Sequence, residues 1–252
     1  MDEISEATGG DVSDVAGWTV WWLAADGEVR RPLAEVTEVG FEAVAAVREF
    51  PSYRGQRHFP GWYYAATLDA HVGFESWLER DHAILLDFDP LVVGFASQPF
   101  WLTWRDAQTS RERSHAPDFF ARLSDGTGLV IDCRPAGRRD ERSLESFAAM
   151  RHACEVAGWA YRLAGELDPV RAANLRWLAG YRHRRYGEPA GVAEAVAAAF
   201  AVPGPLVGQA ASVGDPIEVL PRVFHLIWRG RLAADLSRPL DDRTLVRTGG
   251  NR

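Results

Sequence analysis

The sequence has 252 residues, 47% hydrophobic and 25% charged, which fits one large globular domain or a medium domain with a small second one. No stretch approaches the roughly 18 consecutive apolar residues that a membrane span needs, and the N-terminus is acidic where a signal peptide is basic, so we expect a soluble, cytoplasmic protein with no membrane partner. The formal net charge of −7 argues against coating of nucleic acid by bulk electrostatics, so any DNA contact must come from local basic patches, metal ions or a partner.

Cysteine and lysine usage narrows the class of protein further. The two cysteines, Cys133 and Cys154, do not stand in a metal-ligand spacing such as C-x-x-C, so neither a zinc ribbon nor a disulfide framework is expected. The sequence contains arginine but no lysine, which we attribute to GC-rich coding.

Strand patterns dominate the N-terminal part of the chain. Residues 1–15 lack periodicity and are predicted to be a disordered lead-in. Residues 18–23 predict a strand, Asp26-Gly27 a turn, and residues 28–32 the returning strand of a hairpin. Residues 71–86 carry apolar side chains at helical spacing, so we expect a helix with Glu75 and Glu79 on one face.

Strands and helices alternate in the middle of the chain. Residues 128–134 form an apolar run that ends in charge, which is typical of a buried central strand that delivers its last residues to a surface. The alternation predicts an α/β fold with a mixed central sheet flanked by helices. The other predicted elements here are extended segments at 92–98, 100–104, 116–123 and 159–163, and helices at 141–156 and 169–181.

Composition shifts near residue 187, so we expect a domain over residues 16–186 and a small module over 187–252. The module has the order helix, helix, hairpin, which is typical of a winged-helix-like fold. Its predicted parts are an Ala-rich helix at 192–200, a Pro-Gly-Pro linker at 203–205, a helix at 216–229, and strands at 231–236 and 243–247.

Three carboxylates are predicted to meet at one edge of the sheet. Glu75 lies in the first predicted helix, Asp118 follows Pro117 at the start of a strand, and Asp132 begins an Asp-x-basic pattern at the end of the next strand. Carboxylates that lie together repel one another unless a cation lies among them, and Mg²⁺ takes such oxygen ligands in octahedral geometry. A metal site made of Glu75, Asp118, Asp132 and the backbone carbonyl of Cys133 is therefore expected.

The segments around these residues resemble the PD-(D/E)XK nuclease superfamily and, within it, the TnsA-like endonuclease subunits of heteromeric transposases. The similarity covers roughly residues 70–165, with some similarity again between residues 224 and 240. It is carried by Phe74-Glu75-Ser76-Trp77-Leu78-Glu79, Ser97-Gln98-Pro99, Arg113-Ser114-His115-Ala116-Pro117-Asp118-Phe119 and Leu129-Val130-Ile131-Asp132-Cys133-Arg134-Pro135.

The resemblance implies a restriction-endonuclease-like core in which Glu75, Asp118, Asp132 and Arg134 are catalytic. Arg134 stands where the family has a catalytic Lys. Arg keeps its charge permanently, so it can neutralise a phosphate but cannot act as a base. The resemblance also implies Mg²⁺, with Mn²⁺ as a substitute, hydrolysis of phosphodiester bonds at the 5′ ends of a mobile element, and three partners: double-stranded DNA at transposon ends, a DDE-type transposase, and an AAA+ ATPase regulator.

Other interpretations stay open from the sequence. Because Arg134 replaces Lys, the chain could be a weakened or inactive scaffold that binds DNA and transposition partners. A free-standing restriction or defence nuclease is a third interpretation. At single positions, His115 could contact phosphate or cap a loop, and Gln98 could satisfy backbone groups near the site. The arginines within residues 182–185 could contact DNA or lie solvated at the end of a helix.

Overall fold

The structure is a computed structural model that describes Val15 and residues 17–48, 59–106, 109–187 and 190–250. The predicted lead-in over residues 1–15 lies almost entirely outside these ranges. The described strands are β1 (Thr19–Ala24), β2 (Gly27–Pro32), β3 (Gly61–Ala65), β4 (Ala70–Phe74), β5 (Val92–Ser97), β6 (Trp101–Arg105), β7 (Glu112–His115), β8 (Phe119–Leu123), β9 (Gly128–Cys133), β10 (Ala160–Ala164), β11 (Gly204–Pro205), β12 (Leu232–Ala234) and β13 (Leu245–Thr248). The described helices are α1 (Trp77–Phe88), α2 (Glu141–Ala157), α3 (Pro169–Ala179), α4 (Ala190–Ala199), α5 (Leu206–Val213) and α6 (Pro216–Trp228).

The chain is mixed α/β, and its packing divides it into two compact units. The first unit contains residues 1–55 and 93–165, and the second contains residues 56–92 and 166–252. The domain boundary predicted at residue 187 from composition stays a prediction. No described helix is long and apolar enough to cross a membrane.

The first unit contains two four-stranded sheets. In one sheet the strand order is β2-β1-β6-β7, and in the other it is β10-β9-β8-β5. The predicted hairpin is confirmed: β1 and β2 pair antiparallel, and Gly27 supplies the positive φ of 129° that the turn requires. Val20 and Trp22 of β1 point into the core because alternate residues of a strand face the same side.

The sheet with order β10-β9-β8-β5 is mixed, as the alternation of strands and helices predicts. Strand β9 pairs antiparallel with β8 and parallel with β10. The first five residues of β9 are buried, which confirms the predicted central strand. Helix α2 lies between β9 and β10 in the chain and ends where Gly158 adopts a left-handed conformation, with φ 72°.

Helix α1 of the second unit begins later than its apolar spacing suggests. The predicted helix over residues 71–86 is wrong in its first turn, because residues 70–74 form strand β4 in a hairpin with β3. Ser76 caps the helix: its Oγ accepts from the backbone N–H of Glu79 and donates to the Glu79 carboxylate. The expectation that Glu75 and Glu79 share a helix face is therefore wrong, since Glu75 precedes the cap.

The C-terminal part of the second unit has more elements than expected. The order is α4, β11, α5, α6, β12 and β13, and the three strands form one sheet in the order β11-β13-β12. The predicted linker at 203–205 is wrong in part, because Gly204–Pro205 pairs antiparallel with β13. Helix α5 was not predicted, whereas the helix at 216–229 and the hairpin that follows it are confirmed.

Candidate functional site

Asp118 is positioned against the end of β9 by the pairing of β8 and β9. In this antiparallel ladder Phe119 lies opposite Ile131, so the next step places Asp118 beside Asp132. The backbone N–H of Cys133 donates to Oδ2 of Asp118 at 2.6 Å. A carboxylate that accepts from a backbone N–H has a fixed orientation, so the acid of the Pro-Asp pattern is held at this edge of the sheet.

Asp132 is the most deeply buried of the predicted site residues. It is 1% exposed, and each of its carboxylate oxygens has a partner in the first unit. His115 Nε2 lies 2.8 Å from Oδ1, and the Tyr161 hydroxyl donates to Oδ2 at 2.8 Å. A buried charge is tolerated when hydrogen bonds satisfy it, so these two side chains are what keep Asp132 in the interior.

His115 and Tyr161 reach Asp132 from strands of two different sheets. His115 ends β7 in the other sheet, and its ring meets Phe147 of α2 edge-on at 5.7 Å. Tyr161 lies in β10, which runs parallel to β9. Burial, followed by the charge of Asp132 and the hydrogen bond to it, raises the pKa of the Tyr161 hydroxyl far above that of an ordinary phenol, so Tyr161 remains a donor.

Arg134 forms a hydrogen bond with the loop that follows β9. Its backbone N–H donates to the carbonyl of Ala164 at 2.8 Å, and its Nε donates to the carbonyl of Arg138 at 3.0 Å. Arg139 lies in the same loop, where its Nη2 donates to the Arg134 carbonyl at 3.5 Å. The Nε of Arg139 is buried and has no partner within the described part of the chain. Arg134 and Arg139 therefore make the loop after β9 basic at this edge of the sheet.

Glu75 belongs to the second unit, whereas Asp118, Asp132, Cys133 and Arg134 belong to the first. Within its own unit, the backbone N–H of Glu75 donates to the Glu79 carboxylate at 2.7 Å. The main chain of Glu75 is thereby tied to the N-terminal cap of α1.

The predicted metal ligands Asp118, Asp132 and Cys133 lie at one edge of the sheet in the first unit, whereas Glu75 belongs to the second unit. Carboxylate oxygens are the ligands that Mg²⁺ prefers. Over residues 17–48, 59–106, 109–187 and 190–250, however, no group of three or more His, Cys, Asp and Glu side chains is arranged to hold an ion. Both oxygens of Asp132 have hydrogen-bond partners within the first unit, and each keeps a lone pair with which it could coordinate an ion.

Comparison with known proteins gives no family. No family model matches the chain, and no curated protein matches it.

Gln98 adjoins the site through its backbone rather than its side chain. Its N–H donates to the carbonyl of Asp118 at 2.9 Å, and its carbonyl accepts from the N–H of Val47 at 2.9 Å. The side chain is 1% exposed, and neither amide atom has a partner among the described residues. The expectation that the Gln98 side chain satisfies backbone groups is wrong. Its φ of 45° is unusual for a residue with a side chain.

Sequence reasoning missed Tyr161 and Arg139 as neighbours of this edge. Tyr161 carries no sequence signal, because its contact with Asp132 depends on the parallel pairing of β9 and β10. Arg139 does have a signal, since it closes a run of three arginines within six residues that begins at Arg134. His115 caps no loop, as it ends a strand that the sequence did not predict.

A separate cavity of about 300 Å³ lies in the second unit. Two of its charged lining residues pair with each other, because both guanidinium Nη atoms of Arg231 donate to the Glu194 carboxylate at 2.9 Å. His225 also lines it, and burial, the largest effect on this imidazole, lowers its pKa. The Nδ1–H of His225 donates to the carbonyl of Tyr181 at 2.8 Å, so this ring has a structural role.

Proposed function

We propose that the chain is the DNA endonuclease subunit of a heteromeric transposase and hydrolyses phosphodiester bonds at the 5′ ends of a mobile element. The observation that carries this proposal is the hydrogen bond from the Cys133 N–H to Asp118, which joins the Pro-Asp and Asp-x-Arg patterns at one sheet edge. The proposed partners are double-stranded DNA at the element ends, a DDE-type transposase and an AAA+ ATPase regulator.

The topology of both units supports the proposal. A central strand with one antiparallel neighbour, one parallel neighbour and a helix connection is consistent with a restriction-endonuclease-like core. The order α4, β11, α5, α6, β12 and β13, with β11 and β12 both paired to β13, is consistent with a winged-helix-like module. Fold alone does not determine function, so the residues of the site carry the proposal.

The side chains at the edge divide into acidic and basic roles. Asp118 is the proposed acidic catalytic residue, and Mg²⁺, or Mn²⁺ in its place, is the proposed cofactor, which Asp118, Asp132 and the Cys133 carbonyl of the first unit would hold. Such an ion offsets the charge that builds on a phosphate when it is bound. Arg134 is proposed to neutralise the scissile phosphate, since a guanidinium is always charged and cannot accept a proton.

The test is nicking of duplex DNA that carries the cognate element ends, with the partner transposase and ATPase present and Mg²⁺ or Mn²⁺ added. Asp118→Asn is the informative variant, because the amide oxygen can still accept from the Cys133 N–H while the charge is lost. We expect wild type to nick and Asp118→Asn to lose at least about a hundredfold in rate. Equal rates for the two proteins would remove Asp118 from the mechanism.

A second function is favoured by the state of Asp132. Both of its oxygens are hydrogen-bonded within the protein, and Arg134 cannot act as a base, which favours an inactive scaffold that binds DNA and transposition partners. Arg134→Lys separates the two functions. Cleavage by wild type supports the endonuclease. Assembly of the complex without cleavage by wild type, with cleavage gained in Arg134→Lys or absent from both, supports the scaffold.

A further inference from the structure

Residues 182–187, here called the arginine turn, lie beyond the end of α3. The helix ends at Ala179, and Arg184–Gly187 form a short 3-10 turn. The alternative that all these arginines are the solvated end of a helix is therefore wrong for Arg184 and Arg185. Arg182 contacts the end of the helix, where its Nη1 donates to the carbonyl of Ala179.

Arg182 and His183 fix the arginine turn to the hairpin of β3 and β4. Arg182 Nε donates to the carbonyl of Tyr64 at 2.6 Å, and its guanidinium lies 4.7 Å from the centre of the Tyr63 ring. The ring of His183 stacks on Tyr64 at 5.8 Å with an angle of 29°. These contacts hold the backbone of the turn, so Arg184 and Arg185 extend from a main chain that is already ordered.

Arg184 and Arg185 project from this fixed turn into solvent. The Arg184 side chain is 74% exposed, and Arg185 is exposed with its guanidinium 4.9 Å from the centre of the Tyr186 ring. Asp69, in the turn between β3 and β4, pairs with Arg184 and also accepts from the Tyr64 hydroxyl. Three arginines therefore share this surface with one acidic partner among the described residues.

We propose that the arginine turn binds the phosphate backbone of double-stranded DNA through Arg184 and Arg185. In a chain with a net charge of −7, affinity for DNA must come from a local positive surface. Guanidinium groups bind phosphate oxygens in a bidentate manner, and a turn that is already ordered loses little conformational entropy on binding. The inference rests on the proposed function only for the choice of DNA as partner.

The test measures binding of the full chain to a labelled DNA duplex by fluorescence anisotropy, with EDTA present so that no cleavage occurs. Each phosphate contact contributes about 0.9 to the slope of log affinity against log salt concentration. We expect Arg184→Ala/Arg185→Ala to lower that slope by about 1.8 and to weaken binding by tenfold or more at about 0.1 M salt. Arg30→Ala/Arg31→Ala, in exposed strand β2, makes the same charge change in the other unit and serves as the control.

Asp69→Asn is expected to strengthen DNA binding, and it leaves every arginine in place. Asn tolerates the φ of 53° at this position, and its amide oxygen can still accept from the Tyr64 hydroxyl. Loss of the carboxylate makes Arg184 available to phosphate, so we expect binding to tighten by roughly three- to fivefold.

The outcomes separate this inference from the proposed nuclease function. Weaker binding in the arginine variant together with tighter binding in Asp69→Asn supports the inference, even if wild type never cleaves. The inference fails if wild type shows no duplex binding, if the arginine variant keeps the wild-type slope, or if the Arg30/Arg31 control lowers affinity by as much. Cleavage by a protein whose arginine variant binds like wild type would leave the nuclease in place and overturn only the role of the turn.

Discussion

Nε2 of His115 lies 2.8 Å from Oδ1 of Asp132, and this contact joins the two sheets of the first unit. His115 ends β7 of one sheet, Asp132 lies in β9 of the other, and the Tyr161 hydroxyl completes the set from β10. Because Asp132 is 1% exposed, its charge depends on these two neighbours rather than on water. The three side chains are thus a structural unit as well as the surroundings of the candidate site.

Tyr161→Phe should destabilise the first unit. The change removes one hydrogen bond to a buried carboxylate, which contributes about 1.5–3 kcal/mol to the free energy of unfolding. Urea denaturation followed by tryptophan fluorescence gives that free energy. Tyr186→Phe is the control, because its hydroxyl accepts from Arg185 at an exposed position and loss of this bond should cost under about 0.5 kcal/mol. Equal stability of Tyr161→Phe and wild type would show that Asp132 does not depend on this donor.

Two of the six tyrosines should resist ionisation until the protein unfolds. Burial, then the charge of a bonded carboxylate, raises the pKa of Tyr63 beside Asp87 and of Tyr161 beside Asp132 far above the ordinary value. In the unfolded chain these hydroxyls release protons near pH 10, so the stability that they contribute is present below about pH 10 and falls as the pH rises further. Phenolate absorbance measured against pH, alongside circular dichroism, tests this.

The contradicting result is smooth ionisation of all six tyrosines while the circular dichroism spectrum remains native. Tyr63→Phe/Tyr161→Phe is the matched variant. Above about pH 10 the free energy of unfolding of this variant should fall less steeply than that of wild type, because neither replaced side chain can release a proton.

The sequence predicts the elements whose patterns are strongest and misses those that depend on long-range contacts. The alternation in β1 and the apolar run in β9 were sufficient for strands, whereas the short strand β7 has no such pattern. The start of α1 could have been placed correctly, because Ser76 and Glu79 have the spacing of a capping box. The helical spacing of Phe74 with Trp77 and Leu78 instead favours an earlier start.

The candidate site was predictable only in part for the same reason. A Pro-Asp and an Asp-x-Arg pattern joined by a tight turn give the position of Asp118 beside Cys133 from local pairing alone. The partners of Asp132 could not be predicted, since Tyr161 is 29 residues away and reaches it across a parallel pair. Parallel pairing and contact between sheets are set by packing of the whole unit, which a local pattern does not encode.

Gly128→Ala should destabilise the core of the first unit. A Cβ at Gly128 would lie 2.7 Å from Cζ of Phe120 and 2.8 Å from Cδ1 of Trp159, both closer than van der Waals contact. Relief requires movement of two buried rings, so we expect a loss of about 1–3 kcal/mol in the free energy of unfolding. Gly137→Ala is the control, because a Cβ there meets no atom within 4 Å. Thermal or urea unfolding of both variants should separate them clearly, and identical midpoints would contradict the packing described for Gly128.

The same substitution at two glutamines should have opposite effects on stability. At Gln98 the amide is 1% exposed without a hydrogen-bond partner among the described residues, so Gln98→Met replaces a buried polar group by an apolar one of similar length. We expect the free energy of unfolding to rise by about 1 kcal/mol or more. At Gln209 the Nε2 group donates to the carbonyls of Ala199 at 2.9 Å and Val202 at 3.2 Å, so Gln209→Met should lower it by about 1 kcal/mol. Urea denaturation measures both changes. A loss of stability in Gln98→Met would mean that its amide is hydrogen-bonded in solution, and the group that it binds would then adjoin the backbone of Asp118.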